Sequence, residues 1–418
     1  MSNERHPRLL PVEEEARVTP IELFFDLVFV FSLTQVTALM ADGSITAHGI
    51  LRGLLVLALL WWSWVGYAWL ANVVQAEEGL GRVAVFAAMA AMFVLAVTVP
   101  EAFDDLVGGM DGPVVVAFAY LAVRVLHLVM FFLLSGDDPG LRRQVWKFTP
   151  SVIGSTAVLL VASQLDGWAQ TLTWIAALVV DYVGTMLGGA SGWRLRSASH
   201  FAERHGLILI VALGESIIAI GVGIAQEPIS WPIIVASVLG LTVAGSLWWA
   251  YFDVVSIVAE RMLRRAEGEE RARLARDAYS YLHMPMVAGV VLVALGMKKV
   301  LEYVGEAGDH ELSDPLPLLP LIALYGGVSL YLLAHSAFKY RTWHKVTGRR
   351  LVVAVLLGVL IAVAGNMPGL AALGLLTAVL VGMIASEAVQ YSELREQVRH
   401  EDDPHEDDPV ETLEQHTD

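Results

Sequence analysis

The chain of 418 residues contains no cysteine and little charge. Without cysteine it can form no disulfide scaffold, thiolate metal site, CxxC-linked haem or cysteine nucleophile. Charged residues make up only 17% of the chain, against about 25% in ordinary globular proteins. Hydrophobic residues make up 56%, and the mean hydropathy is +0.60. This composition excludes a disordered protein and a nucleic-acid-binding domain, and it indicates a polytopic membrane protein.

The sequence motifs of soluble enzymes are also missing. The sequence has no Walker loop, Rossmann fingerprint, GxSxG or HExxH. These patterns mark phosphate, dinucleotide, acyl-transfer and zinc-protease sites. We therefore expect no catalytic residue, no cofactor and no metal site, and we predict that the protein is not an enzyme.

What the sequence does have is a series of long apolar runs. A membrane-spanning helix needs about 20 predominantly apolar residues. Such runs predict an all-α membrane protein with about twelve transmembrane helices, at 20–40, 50–70, 83–100, 113–134, 148–165, 171–189, 205–225, 231–258, 278–300, 316–336, 350–365 and 368–390.

Lysine and arginine are distributed unevenly among the predicted loops. If the N-terminus is inside, only Arg52, Lys298 and Lys299 fall outside, Arg124 falls within a span, and the remaining Lys and Arg lie inside. The positive-inside rule therefore predicts an even number of helices with both termini cytoplasmic. Residues 393–418 are strongly acidic, which predicts a disordered cytoplasmic tail.

Three local similarities indicate an internal duplication. Trp61-Trp62 resembles Trp248-Trp249, Asp26 falls near the position of Glu215, and Tyr120 with Arg124 resembles Tyr331 with His335. These matches predict two parallel six-helix repeats. The predicted organisation is an N-terminal segment 1–19, repeats 20–199 and 200–392, and the tail 393–418.

Ionisable side chains within the predicted spans are candidates for function, because a charge in the bilayer costs a few kcal/mol or more. The candidates for binding a substrate or ion, or for proton coupling, are Glu22, Asp26, Arg124, His127, Asp181, Glu215 and His335. Residues that could line the associated cavity are Trp62, Tyr120, Trp249, Tyr281, His283 and Tyr331. The alternative for Glu22 and Asp26 is a helix N-terminus favoured by the macrodipole. For Arg124 it is a structural ion pair between helices.

Arg124 lies near the middle of a predicted span and stays charged at physiological pH. We therefore expect a carboxylate within about 4 Å of its guanidinium. Asp26 is the first choice among Asp26, Asp181, Glu215 and Asp253. Glu215 would then meet His335, which makes the first half structural and the second half sensitive to protons.

With these residues described, a resemblance to a known family can be stated. The segments Pro20–Val30, His200–Gly206 and Leu213–Ser216 resemble motifs of the low temperature requirement protein A family. Trp61-Trp62 and Tyr279–His283 fit the same family, and the resemblance covers about residues 18 to 392. It implies a multi-pass protein of the bacterial inner membrane, associated by name with growth in the cold, and it implies no particular substrate.

Three functions follow as hypotheses. The first is a secondary transporter or exchanger of a small solute or ion that uses intramembrane carboxylates. The second is an ion channel, since Phe24-Phe25-Asp26 with Thr34 resembles the Phe-Ser-Asp motif of a class of potassium channels, with Phe25 in place of the serine. The third is a lipid-sensing or lipid-processing protein. Expected partners are the lipid bilayer and a small solute or ion, with a homo-oligomer as an alternative and no nucleic acid.

Overall fold

The computed structural model describes residues 17–73, 79–135, 139–188, 195–225, 227–305, 311–345 and 348–390. Throughout this part of the chain the named elements are helices, and the predicted all-α class is confirmed. The predicted tail 393–418 and residues 1–16 of the N-terminal segment lie outside the described residues.

Fourteen α-helices occur in the described residues. They are α1 (Pro20–Ala41), α2 (Ala47–Ala71), α3 (Gly79–Val97), α4 (Gly112–Ser135), α5 (Pro139–Ala162), α6 (Gly167–Gly188), α7 (Ala198–Gly223), α8 (Trp231–Phe252), α9 (Val255–Arg265), α10 (Gly268–Leu274), α11 (His283–Gly305), α12 (Leu318–Trp343), α13 (Gly348–Ala364) and α14 (Gly369–Gln390). A 3₁₀ turn, Val99–Glu101, follows α3, and a π-helical turn, Ala275–Tyr281, joins α10 to α11.

Twelve of these helices coincide with the twelve predicted spans. By length and hydropathy, ten helical stretches of the described chain could cross a membrane, and α3 contributes a shorter apolar helix, Gly81–Val97. The predicted start of α5 at 148 was wrong, since this helix begins at Pro139. Its first turns carry Arg142, Arg143 and Lys147, so the hydropathy of the sequence does not identify them as part of a membrane helix. The predicted span 231–258 is interrupted, since α8 ends at Phe252 and the amphipathic α9 begins at Val255.

The chain divides into two compact units. Unit 1 contains Met1–Glu215 and Ala266–Met284, and unit 2 contains Ser216–Arg265 and Pro285–Asp418. The first boundary falls within α7. The predicted repeats 20–199 and 200–392 stay a prediction.

Unit 1 is built around α2. Helix α1 packs against α2 and α3, α4 packs against α3 and α5, and α5 packs against α6. Most of α2 is buried, including Trp61 and Trp64 with no exposed surface. A helix that is apolar all round belongs in the interior of a bundle, which explains why this tryptophan-rich segment lies at the centre of the unit.

Unit 2 brings two helix backbones into direct contact. A Cβ atom on Gly289 of α11 would lie 2.6 Å from the carbonyl oxygen of Gly327 on α12, and one on Gly296 would lie 2.7 Å from the backbone nitrogen of Leu324. Small residues at a helix interface allow this approach in membrane proteins. Helix α12 also packs against α13, and α14 packs against α8 and α13.

Candidate functional site

A buried charge cluster joins α1 to α7 within unit 1; we call Glu22, Asp26, His200 and Arg204 the α1–α7 cluster. Arg204 Nη2 donates to Asp26 Oδ1 at 2.8 Å, and Arg204 Nη1 lies 3.5 Å from Glu22 Oε1. His200 Nε2 lies 3.0 Å from Glu22 Oε1. These side chains are at most 4% exposed, so their charges must be balanced within the cluster.

Helical spacing positions this cluster. Glu22 and Asp26 are four residues apart on α1, as are His200 and Arg204 on α7, so each pair occupies one helix face. The backbone N–H and the hydroxyl of Thr19 both donate to Glu22 Oε2, at 2.8 and 3.0 Å. Glu22 therefore orders the start of α1 in addition to its contacts with α7.

The neighbouring α2 completes the surroundings of Asp26. Trp64 Nε1 donates to Asp26 Oδ1 at 2.8 Å, and the Arg204 guanidinium lies 5.6 Å from the centre of the Trp64 ring. Asp26 Oδ2 is buried with no hydrogen-bond partner among the described residues. A cavity of ≈ 400 Å³ lies beside this cluster, and Glu22, Tyr67 and Arg204 are among the residues that line it.

A second buried cluster connects α4, α5 and α6; we call Tyr120, Arg124, Ser151 and Asp181 the α4–α6 cluster. Arg124 Nη2 donates to Asp181 Oδ1 at 3.0 Å. The Tyr120 hydroxyl donates to Asp181 Oδ2, and Ser151 Oγ, which donates to the carbonyl oxygen of Phe148 at 2.9 Å, lies 3.4 Å from Asp181 Oδ1. The carboxylate therefore receives donors from Tyr120 and Arg124 on α4, which offsets the loss of its hydration.

The prediction that Asp26 is the partner of Arg124 was wrong. A carboxylate does lie within 4 Å, but it is Asp181 rather than Asp26, while Asp26 is paired with Arg204. The physical reason is the order of packing, because α4, α5 and α6 are successive neighbours and bring Asp181 to Arg124. Arg204 was not predicted, because it lies just before the apolar run 205–225 and therefore has the sequence environment of a loop residue. The i, i+4 spacing of His200 and Arg204 could have identified it.

A cavity of ≈ 600 Å³ lies beside the α4–α6 cluster; we call it the unit 1 cavity. It is lined by Trp62, Val65, Gly66, Trp69, Arg124, His127, Leu128, Phe148, Thr185, Ala272, Arg276 and Ser280. Predicted residues Trp62, Arg124 and His127 are therefore brought together at one site.

The π-helical turn supplies one wall of the unit 1 cavity, through Arg276 and Ser280. Two indoles of α2 hold Ser280: Trp61 Nε1 donates to its carbonyl oxygen at 2.8 Å, and Trp69 Nε1 donates to its hydroxyl at 2.9 Å. π-helical turns occur frequently at functional sites. This wall was not predicted from the sequence, because π-helical turns leave no hydropathy signal.

The other predicted aromatic residues of unit 1 pack close to this wall. Tyr182 stacks on Trp62 at 4.2 Å between ring centres, and the Tyr281 hydroxyl donates to the carbonyl oxygen of Tyr182 at 3.3 Å. The His283 ring stacks on Tyr279 at 5.2 Å and is fully buried. His283 therefore belongs to an aromatic cluster and does not line the unit 1 cavity.

Glu215 is also buried, near the end of unit 1 on α7. The Thr34 hydroxyl on α1 donates to Glu215 Oε2 at 2.6 Å. Thr34 is the residue singled out by the resemblance to potassium channels. The predicted pairing of Glu215 with His335 concerns residues of different units and stays a prediction.

Unit 2 has its own buried charge cluster, which joins α12, α13 and α14. Arg350 donates to both carboxylate oxygens of Glu387, at 2.9 and 2.7 Å, and its Nη1 lies 2.8 Å from His335 Nδ1. Two predicted cavity residues of unit 2 lie in different surroundings. Tyr331 is buried and its hydroxyl donates to the carbonyl oxygen of Leu247 at 2.8 Å. Trp249 is 38% exposed. Arg350 and Glu387 were not among the predicted residues, although Arg350 begins the predicted span 350–365 and Glu387 lies within the predicted span 368–390. Arg350 was counted with the basic loop before that span.

Long apolar helices whose buried charges lie mostly in ion-paired clusters define a polytopic α-helical membrane protein. The chain belongs to the family described as bacterial low temperature requirement A protein (LtrA), whose model matches residues 17–385. The relative "Uncharacterized protein RA0937" of Rhizobium meliloti (strain 1021) is 28% identical over 348 residues, which cover 79% of each chain. No solved structure matches the chain significantly.

Proposed function

We propose that the protein is a secondary transporter or exchanger of a small solute or ion in the bacterial inner membrane, with both termini cytoplasmic, and not an enzyme. The observation that carries this proposal is the unit 1 cavity, which lies beside the buried Arg124–Asp181 pair. Arg124 is midway along α4. The cavity extends from Arg124 to Trp69 and Thr185, near the ends of α2 and α6. A cavity that reaches the middle of the helices supports a transporter, because transporter sites lie near the bilayer midplane.

The predicted duplication gains support from the internal chemistry of the two units. In unit 1, Arg124 binds an acid on α6, the sixth long helix of the chain. In unit 2, Arg350 binds Glu387 on α14, the last helix described. Each proposed repeat would thus end in a helix whose buried acid binds an arginine from a preceding helix.

We assign the coupling role to Glu215 rather than to Asp26. Asp26 is held by Arg204 and Trp64, so its negative charge balances a fixed positive charge. Glu215 meets the hydroxyl of Thr34, and a hydroxyl can donate to a carboxylate or accept from a carboxylic acid. The contact between Thr34 and Glu215 can therefore be kept in both protonation states, as a proton carrier requires.

The test is solute-driven proton movement in proteoliposomes that contain a fluorescent pH indicator. Pools of organic acids, amino acids, sugars and inorganic ions are added outside, and a saturable signal from one pool is expected. Glu215→Gln should abolish the proton signal but retain solute binding, whereas Glu203→Gln, on the same helix but exposed, should behave like the wild type.

Two outcomes would contradict this proposal. Equal proton signals in wild type and Glu215→Gln would remove the coupling role. Unitary current steps in planar bilayers, without saturation by any solute, would indicate the alternative of an ion channel.

A further inference from the structure

Four buried polar atoms of residues that line the unit 1 cavity have no hydrogen-bond partner among the described residues: Trp62 Nε1, Arg124 Nε and the two ring nitrogens of His127. Trp62 Nε1 and Arg124 Nε can only donate, whereas a neutral imidazole offers one donor and one acceptor. Buried polar atoms in proteins are almost always paired, so two unpaired donors in one wall indicate a ligand with acceptor atoms.

Ser280 adds a third donor to the same wall. Its hydroxyl oxygen accepts from Trp69 Nε1 at 2.9 Å, and a hydroxyl that accepts one hydrogen bond can still donate its own proton. Arg276 supplies a further guanidinium, which also pairs with its neighbour Asp277 at 2.8 Å. The residues that line the cavity in the described chain include two arginines and no carboxylate.

Apart from His127 and Thr185, the remainder of the wall is apolar. Val65, Leu128 and Phe148 line it together with Trp62 and Trp69. Such a surface favours a hydrophobic or aromatic body, while the donors favour a negatively charged group with several lone pairs. An inorganic anion would satisfy the donors and leave the apolar wall unfilled.

We propose that the unit 1 cavity binds a small organic anion, one carboxylate attached to an apolar or aromatic body. The carboxylate accepts from Arg124, Trp62 and Ser280, and Arg276 adds positive charge near it. The body lies against Val65, Leu128 and Phe148. Asp181 keeps Arg124 in place through Nη2 and leaves the Nε of Arg124 free for the ligand. This inference rests on the proposed function, since it names the class of the transported solute.

The test is calorimetric titration of the purified full chain with benzoate, and with benzyl alcohol and benzylammonium as neutral and cationic analogues of similar size. Benzoate is expected to saturate one site per chain, and the two analogues are expected not to bind. Equal binding of benzyl alcohol and benzoate would overturn the requirement for an anion.

Variants locate the site. Trp62→Phe removes one N–H and keeps the ring, and Arg276→Gln removes one charge; each should weaken benzoate binding at least tenfold. The matched control is Arg273→Gln, one helical turn earlier, whose side chain is 50% exposed and paired with Glu269; it should bind like the wild type. Thermal unfolding midpoints equal to the wild type would show that Trp62→Phe and Arg276→Gln are folded. Unchanged affinity in these folded variants would place benzoate elsewhere and overturn the proposal.

A lipid head group could supply the same chemistry, so the titration is repeated in nanodiscs. Equal affinity in phosphatidylcholine and in phosphatidylglycerol discs supports a soluble carboxylate. Loss of benzoate binding only in phosphatidylglycerol would assign the cavity to a lipid phosphate and overturn the proposed solute.

The binding and flux experiments fail independently. Benzoate binding without any flux would leave the anion site in place and remove the transporter. Saturable flux of another solute class without benzoate binding would support the transporter and overturn the anion site.

Discussion

Arg204 on α7 donates to Asp26 on α1 across 2.8 Å, and the same guanidinium lies 3.5 Å from Glu22. Two buried carboxylates thus share one permanent cation, with His200 as their other basic neighbour. The arrangement fixes the start of α7 against α1. It also makes the two acids dependent on a residue almost 180 positions away in the chain.

Loss of Arg204 should therefore destabilise unit 1 strongly. Arg204→Met leaves Glu22 and Asp26 buried without their guanidinium, and breaking a buried pair in this way typically costs about 3–5 kcal/mol. The thermal midpoint of the detergent-solubilised protein, measured by fluorescence-detected size-exclusion chromatography, should fall by many degrees. Arg273→Met, at an exposed pair, should change it little; equal midpoints for the two variants would contradict the prediction.

The Arg124–Asp181 pair allows a double-mutant cycle. Asp181→Asn leaves a charged guanidinium, and Arg124→Gln leaves a carboxylate, so each single variant should be markedly less stable than the wild type. Arg124→Gln with Asp181→Asn together leaves two neutral groups, and this double variant should recover a large part of the lost thermal stability. Additive losses in the cycle would show that the two charges do not interact.

Gly66 keeps space for His127 in the wall of the unit 1 cavity. A Cβ atom at this position would lie 3.1 Å from His127 Nε2, so Gly66→Ala should push the imidazole and narrow the cavity. We expect benzoate affinity to fall severalfold while the thermal midpoint changes by only a few degrees. The control is Gly245→Ala on α8, where a Cβ would meet nothing within 4 Å; a similar loss of affinity there would refute the explanation.

The contact between α11 and α12 should be very sensitive to side-chain size. Gly289→Ala would place a methyl group 2.6 Å from the carbonyl oxygen of Gly327 and 2.8 Å from the backbone nitrogen of Tyr331. Since backbone atoms cannot move aside without shifting a helix, we expect a lower thermal midpoint and reduced expression. Gly358→Ala on α13 adds a methyl group in open space and should be neutral or slightly stabilising. A neutral Gly289→Ala would show that the helices separate easily.

The positions of the helices were largely predictable, because hydropathy over about 20 residues reports directly on burial in a membrane. The first residues of α5 and α7 were not predictable from hydropathy. Their first turns carry Arg142 and Arg143, or His200 and Arg204, and a hydropathy window assigns such residues to loops. In α7 those polar residues are buried as ion pairs, and a window along the chain contains no information about a partner on α1.

The candidate site was predicted in part. Buried acids and Arg124 could be identified from the sequence because a charge within an apolar run is costly. Their pairing could not be identified, since it depends on which helices become neighbours. Asp26 and Asp181 have the same chemistry, and only the packing of α4, α5 and α6 selects Asp181 for Arg124. The function of the protein stays a proposal for the experiments above.

The π-helical turn at Ala275–Tyr281 has a geometric consequence for the unit 1 cavity. A π-helical turn accommodates one residue more than an α-helical turn, and one residue corresponds to about 100° of rotation in an α-helix. If this segment became α-helical while the residues after it stayed in place, Arg276 would rotate away from its present direction by about that angle. The wall of the cavity would then present a different side chain to its contents, without any change in the length of the chain or in the membrane depth of α2 and α4. The hydrogen bonds from Trp61 and Trp69 to Ser280 fix the end of this turn, and through it the direction in which Arg276 faces the cavity.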